Sequence, residues 1–315
     1  MATRIANQPT AARPPAEPAA TAPAPPQGGM RRVGRSRAVR RLVRSRSAQL
    51  GLVCLILVAG LALFGPLFAL DPNAQDVLAR LQAPMFAEGG QAPYVLGTDQ
   101  LGRDLLARIM YGGRISLGIA LVAVVLAGSL GVLLGLVAGY YGGAADAVIM
   151  RLADIQLAFP FILLVVLVVG ALGPSVPNLT VVLGVGGWIL YSRVVRGQVL
   201  SVREAEFVHA ARSMGASDLR ILTRHILPGV VSPVIVVASF AAAQVIVTEA
   251  ALSFLGLGVQ PPDASWGRML AESRDYLTTD AWLATMPGLA IVLTVLGFNL
   301  VGDWLRDVLD PRLKV

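Results

Sequence analysis

Glu206-Phe-Val-His-Ala-Ala-Arg-Ser-Met-Gly215-Ala-Ser-Asp-Leu-Arg-Ile-Leu-Thr-Arg-His225-Ile-Leu-Pro228 is a polar island between long apolar runs. Its pattern predicts helix, turn, helix. Just upstream, Ser201-Val-Arg-Glu204 has capping-box spacing, with a hydroxyl and a carboxylate that can satisfy orphan amides of a helix start. The first helix is expected to run to about Met214 and to stop at Gly215, a residue that accepts the left-handed position past a helix end. Ser217 is placed to cap the next short helix, Asp218 lies at that helix's positive end, and Pro228 closes the unit. Ala210 and Ala211, framed by Phe207 and Met214, make a small pair beside apolar anchors, a surface that suits another protein's groove. On pattern alone, an ordinary hairpin between two membrane spans reads equally well.

Composition bounds what surrounds the island. Of 315 residues, 55% are hydrophobic and 14% charged, the balance of an integral membrane protein rather than a soluble domain. The net charge of +7 is concentrated in residues 1–47, which carry ten Arg and one acid. That excess marks a membrane side more simply than a nucleic-acid site, and no nucleic-acid partner is expected. Cys54 is the only cysteine, so an intrachain disulfide is excluded, and with two histidines the chain has no His or Cys cluster for a metal. Lysine occurs once, at Lys314, which leaves none to build a P-loop. No cofactor is expected on this chain.

Residues 1–30, rich in Pro and Ala, cannot bury a core and read as disordered; eight Arg follow in 31–46. Leu50–Leu70 reads as an uncleaved anchor and first span. After an external segment, 71–104, Leu105–Ile115 reads as an interfacial helix with Arg103, Asp104 and Arg108 away from its apolar side. Ile115–Gly139 is charge-free, and Ala127, Gly131, Gly135 and Gly139 recur every four residues, a stripe for close packing against a protein helix such as a partner subunit's. Ile155–Tyr191 reads as a hairpin of two spans split at Gly173-Pro-Ser-Val-Pro-Asn178. Ile226–Thr248 and Ala281–Gly302 are the fifth and sixth spans, with 256–280 an external loop. The fold class is therefore all-α, six transmembrane helices over 48–315, with both termini and the 201–228 loop in the cytoplasm. Glu249 falls near the far interface and reads as a capped or paired structural carboxylate. Gln244 and Thr248, which share a helical face, and Asn299 are polar candidates for a translocation path, though interhelical hydrogen bonding explains them as well.

With these residues in view, the island resembles the "EAA" coupling loop of ABC-importer permeases, which runs Glu-Ala-Ala, three residues, Gly, nine residues, Ile, one residue, Leu-Pro. Ala210, Ala211, Gly215, Leu227 and Pro228 fall in register. His209 stands where that loop has Glu, and His225 where it has Ile; Glu206 lies one turn before His209 on the same face. Three further segments are similar to the C-type subunit of dipeptide, oligopeptide and nickel importers: Gly97-Thr-Asp-Gln-Leu-Gly-Arg-Asp104; Leu252-Ser-Phe-Leu-Gly-Leu-Gly-Val-Gln-Pro-Pro262 with Ser265-Trp-Gly267; and Gly302-Asp-Trp-Leu-Arg-Asp running on to Lys314. The likeness covers about residues 36–315.

That resemblance implies the type I ABC importer permease fold in a bacterial cytoplasmic membrane. It implies a B-type permease partner, two cytoplasmic ATPase domains that hold ATP and Mg, and an extracytoplasmic binding protein. It further implies that Glu206, Phe207, His209, Ala210, Ala211, Met214, Gly215, Leu227 and Pro228 contact the ATPase, and that the cargo is a di- or oligopeptide, with nickel or glutathione as alternatives. A secondary, ion-coupled transporter is the main rival and would place paired ionisable residues at mid-depth; the spans show none. A membrane-embedded enzyme would need a polar catalytic cluster, and both histidines lie in one loop.

Overall fold

A computed structural model describes residues 42, 45–69, 71–90 and 92–309. The expected tail up to Arg44, apart from Leu42, and the residues from Asp310 to the end of the last motif lie outside the described residues. Among the described residues the regular structure is helical: α1 (Arg46–Phe64), α2 (Leu105–Tyr141), α3 (Gly143–Leu157), α4 (Phe161–Leu172), α5 (Val176–Gly186), α6 (Trp188–Val202), α7 (Glu206–Ser213), α8 (Asp218–Ile221), α9 (Leu227–Phe254), α10 (Trp266–Ser273) and α11 (Trp282–Leu309). Five helical stretches among the described residues are long and apolar enough to cross a membrane; a sixth span arises if α3 and α4, bent by 86° at Ala158–Pro160, count as one.

The largest departure from the periodicity reading is α2. The segment expected to lie along the interface is the first part of a single helix of 37 residues, capped by the Asp104 carboxylate accepting from the Leu106 amide. At 1.5 Å per residue it is about 55 Å long, well beyond the roughly 30 Å hydrocarbon core. The expected hairpin over 155–191 is also redrawn. α5 and α6 form one span of 27 residues, Val176–Val202, and α3 lies against α6. Asp146 of α3 accepts two hydrogen bonds from Arg196 at 2.5 and 2.6 Å, and Asp154 accepts from Arg193 at 2.7 Å. Gln156 closes the seam, accepting from the Trp188 indole N–H and donating to the Gly186 carbonyl. These ties run between residues about 30 to 50 positions apart, beyond the reach of local pattern.

The small-residue stripe meets a helix of the same chain rather than a partner's. A Cβ on Gly131 would lie 2.5 Å from the Trp188 carbonyl oxygen, on Gly135 2.7 Å from the Ser192 carbonyl, and on Gly139 2.7 Å from Val199 Cβ; Ala127 is buried. The stripe lets the α2 and α6 backbones touch, which supplies packing that hydrophobicity cannot supply in lipid. On the other side of the bundle α1 meets α11 in the same way, through Gly51 and Gly297.

Pro228 does not close the loop. It is in the first turn of α9, just past a π-helical turn, the kind of break in the α-helical ladder that accommodates a residue without an amide hydrogen. α8, a π-helical turn at Leu222–Ile226 and α9 form one continuous helical run from Asp218 to Phe254.

The external stretches are also more ordered than their loop reading. The 256–280 stretch contains α10, with Trp266 and Met269 buried and the Trp266 indole N–H donating to the Ile109 carbonyl. Arg103 and Arg108 turn inward. Asp99 accepts from Arg103 and Arg108 at 2.6 Å each, and Glu272 of α10 accepts from them at 3.0 and 2.7 Å and from Arg268 at 3.0 Å. Burial raises the Glu272 pKa, but Arg108 and Arg103 outweigh it and hold the carboxyl below its ordinary 4.5. Such a group contributes stability that is fully present above the unfolded value and is lost as pH falls through the folded one. Glu272→Gln is therefore expected to cost about 2 kcal/mol at pH 7. The gap from wild type should close as pH drops below 4.5, checked by thermal unfolding of the detergent-solubilised protein across pH. A gap independent of pH would assign the Glu272 contribution to packing.

Candidate functional site: the helical loop between the fourth and fifth spans

The loop's first helix, α7, does not start at the expected capping box. α6 continues through Ser201 to Val202, and α7 begins at Glu206 after Ala205, which makes no side-chain cap. Its end follows expectation. The Gly215 amide bonds the Arg212 carbonyl and the Ala216 amide bonds Ala211, the paired bonds of a Schellman motif, with Gly215 at φ +80°. Ser217 precedes α8 without a side-chain cap hydrogen bond.

One face of α7 is buried and the other is exposed. Val208 and Ala211, three residues apart, enter an apolar cluster with Tyr140 of α2, Val195 and Val199 of α6, Ile221 of α8, Ile226, and Val230 of α9. Ala211, expected to face another protein, is thus filled in by its own chain and only 3% exposed. Ala210, Glu206 and His209 remain on the open face. So do three large apolar side chains, Phe207, Met214 and Leu219, at 51%, 82% and 71% exposure. The Phe207 ring lies 6.3 Å from the His225 ring, which gives His225 a packing role on this face. Leu227 and Pro228 are half-buried at the root of α9. His209 is 3.6 Å from a carboxylate oxygen of Glu204, itself held by Arg203 at 3.0 Å; the nearby acid is Glu204 rather than Glu206. Phe207, Met214 and Leu219 are thus large apolar side chains left uncovered on a loop that also exposes Glu206, Arg212 and Asp218.

Two of the proposed path residues stay together, as their shared helical face implies: the Thr248 hydroxyl donates to the Gln244 carbonyl at 2.8 Å and the Gln244 side-chain amide donates to that hydroxyl at 3.4 Å. Thr248 is buried and Gln244 exposed, while Asn299 is half-buried on a separate helix, α11.

Sequence reasoning placed Glu249 near the far end of the bundle but did not find its partners. The carboxylate accepts from Ser253 at 2.7 Å, Ser265 at 2.8 Å and Ser116 at 3.3 Å. Each hydroxyl in turn accepts a backbone amide, from Val259, Arg268 and Trp266 respectively. The cluster locks α2, the end of α9 and the start of α10 together. Ser253 and Ser265 belong to segments the sequence singles out, so the signal was present without its meaning.

The fold agrees with the comparisons. Residues 131–315 match the family described as binding-protein-dependent transport system inner membrane component, and residues 35–84 the N-terminal TM domain of oligopeptide transport permease C. A putative peptide transport system permease protein of Brucella suis is 44% identical over 277 residues, 88% of this chain and 91% of that one. The di/tripeptide transport system permease protein of Pseudomonas aeruginosa is 45% identical over 265 residues, 84% of this chain and 88% of that one. The glutathione transport system permease protein of Pectobacterium atrosepticum is 48% identical over 227 residues, 72% and 75%. With the long spans, the Schellman-capped loop and these matches over most of its length, the chain belongs to the binding-protein-dependent transport system inner membrane components, the permeases of ABC transport systems.

Proposed function

We propose that this chain is the C-type permease subunit of an ATP-driven peptide importer in a bacterial inner membrane. It pairs with a B-type permease and takes cargo from an extracytoplasmic binding protein. The chain itself binds no nucleotide; ATP and Mg sit on two ATPase domains that dock on the 201–228 loop from the cytoplasm. The observation that carries this reading is the exposed trio Phe207, Met214 and Leu219 on a loop whose other face is anchored in the bundle. An apolar surface of that kind, beyond the membrane, calls for a protein partner. Peptide cargo is supported by the relatives named as peptide and di/tripeptide permeases. Glutathione, itself a tripeptide, is the second reading because of the relative named for it.

The test is reconstitution in liposomes with the partner permease, ATPase and binding protein. Radiolabelled dialanine should enter only with ATP, unlabelled glutathione should compete weakly, and the isolated chain should hydrolyse no ATP. In a Cys54→Ala background, cysteines at Ala92 and Ser217 should react with an impermeant maleimide from opposite sides. Uptake driven by an ion gradient without ATP would favour the secondary transporter, and failure of the ATPase to co-purify would remove the role of the loop.

A further inference from the structure

Tyr140 occupies the last turn of α2, next to the loop, with its ring buried in the cluster that holds Val208, Ala211 and Ile221. Its phenol donates to Asp218 Oδ1 at 2.6 Å and accepts from Arg212 Nη2 at 3.4 Å. The Arg212 guanidinium also lies over the ring, 5.8 Å from its centroid. Arg212 is in the last turn of α7 and Asp218 is the first residue of α8, so one phenol holds both helices of the loop, one on each side of the Gly215 turn. We infer that Tyr140 is the positioning residue that makes the loop and α2 move as one body, so that displacement of the loop is delivered along α2 to the opposite end of the bundle.

Apolar contacts around Tyr140 are non-directional and allow sliding, whereas a short hydrogen bond to a carboxylate fixes direction. α2 is one unbroken helix without proline over about 55 Å, and its glycines at 131, 135 and 139 are braced by close contact with α6, so its backbone hydrogen bonds run continuously from the loop to the far end. Its far end is held in turn: Arg108 is gripped by Asp99 and Glu272, and Ser116 donates to Glu249. Arg203 also reaches α2, donating to the Gly139 carbonyl, but from the end of α6 rather than from α7 or α8. A push on the loop therefore arrives where α2, α9 and α10 are joined.

The inference rests on the loop being the ATPase contact, and the experiment separates the two. The full complex is reconstituted with its partner permease, ATPase and binding protein, and dialanine uptake and ATP hydrolysis are measured together. Tyr140→Phe keeps the ring and its packing. The ATPase should co-purify as in wild type and hydrolysis should continue, while dialanine moved per ATP falls about fivefold or more. Asp218→Ala should give the same loss, and combining it with Tyr140→Phe should add little, as expected for partners in one bond. Asp218→Asn keeps an oxygen that accepts the phenol and should retain most of the coupling. An unchanged uptake-to-ATP ratio in Tyr140→Phe and Asp218→Ala overturns the inference. Loss of ATPase binding in Tyr140→Phe also overturns it, by making the residue a docking element. Failure of the wild-type chain to recruit the ATPase strikes the functional reading instead.

Discussion

Gly131→Leu is expected to separate α2 from α6 and to lower the yield of folded protein several-fold. A Cβ at this position already meets the Trp188 carbonyl oxygen at 2.5 Å and the Ser192 amide nitrogen at 3.0 Å, and those are backbone atoms that cannot rotate aside. Three further carbons would force the helices apart along the longest seam in the chain, at a cost of about 3 kcal/mol or more. Gly118 provides the control on the same helix, because a Cβ there meets nothing within 4 Å. Gly118→Leu should leave both yield and melting temperature close to wild type. Size-exclusion profiles and thermal unfolding in detergent read both variants. Equal behaviour of the two would mean that α2 and α6 do not pack as described.

Ala211→Glu should abolish uptake through a different route from the one its sequence position suggests. Ala211 faces the cluster of Val208, Ile221 and Val230 in its own chain, so the new carboxylate would be driven into apolar surroundings or would lever α7 away. Either outcome costs roughly 3–5 kcal/mol, the scale of an unpaired buried charge. Ala210→Glu, one residue earlier and on the exposed face, leaves that cluster intact and perturbs only what docks there. Gly215→Val is milder: at φ +80° with open space around its Cβ, it carries backbone strain alone, about 1–2 kcal/mol. The order expected for loop protection against limited proteolysis is therefore Ala210→Glu, then Gly215→Val, then Ala211→Glu as the least protected. If Ala211→Glu is as protected as wild type, α7 is not seated as described.

What sequence alone revealed divides along the range of the interactions. Gly215 was legible because its left-handed turn is a property of a few consecutive residues. The apolar spans were legible because lipid imposes a long unbroken signal. Ser201-Val-Arg-Glu204 misled because a capping-box pattern is only local, and the continuation of α6 to Val202 overrode it. Arg108 was read only as lying away from the apolar side of its helix; it pairs with Asp99, nine residues before it, and with Glu272, 164 residues after it, and the second partner comes within reach only through the fold. The alanine pair was read as one surface, but consecutive helical positions point about 100° apart, so packing buried Ala211 and left Ala210 outside. Glu249 was read as a capped or paired carboxylate without its partners: Ser253 and Ser265 lie 4 and 16 residues after it, but Ser116 lies 133 residues before it and is brought there by the fold.

The π-helical turn at Leu222–Ile226 bears on which changes of length evolution can accept. The Leu227 amide reaches back five residues to the Leu222 carbonyl, so this turn holds one residue more than an α-helical turn would. The five residues of this turn take up about the rotation that four take in an α-helix, so the helix before and after it stays in phase. Deleting a single residue here would restore the α-helix while Phe207, Leu219 and the rest of the exposed face keep nearly the same aim. One residue on either side of the turn has no such slack, because a deletion inside the regular α-helix rotates everything before it by about 100°.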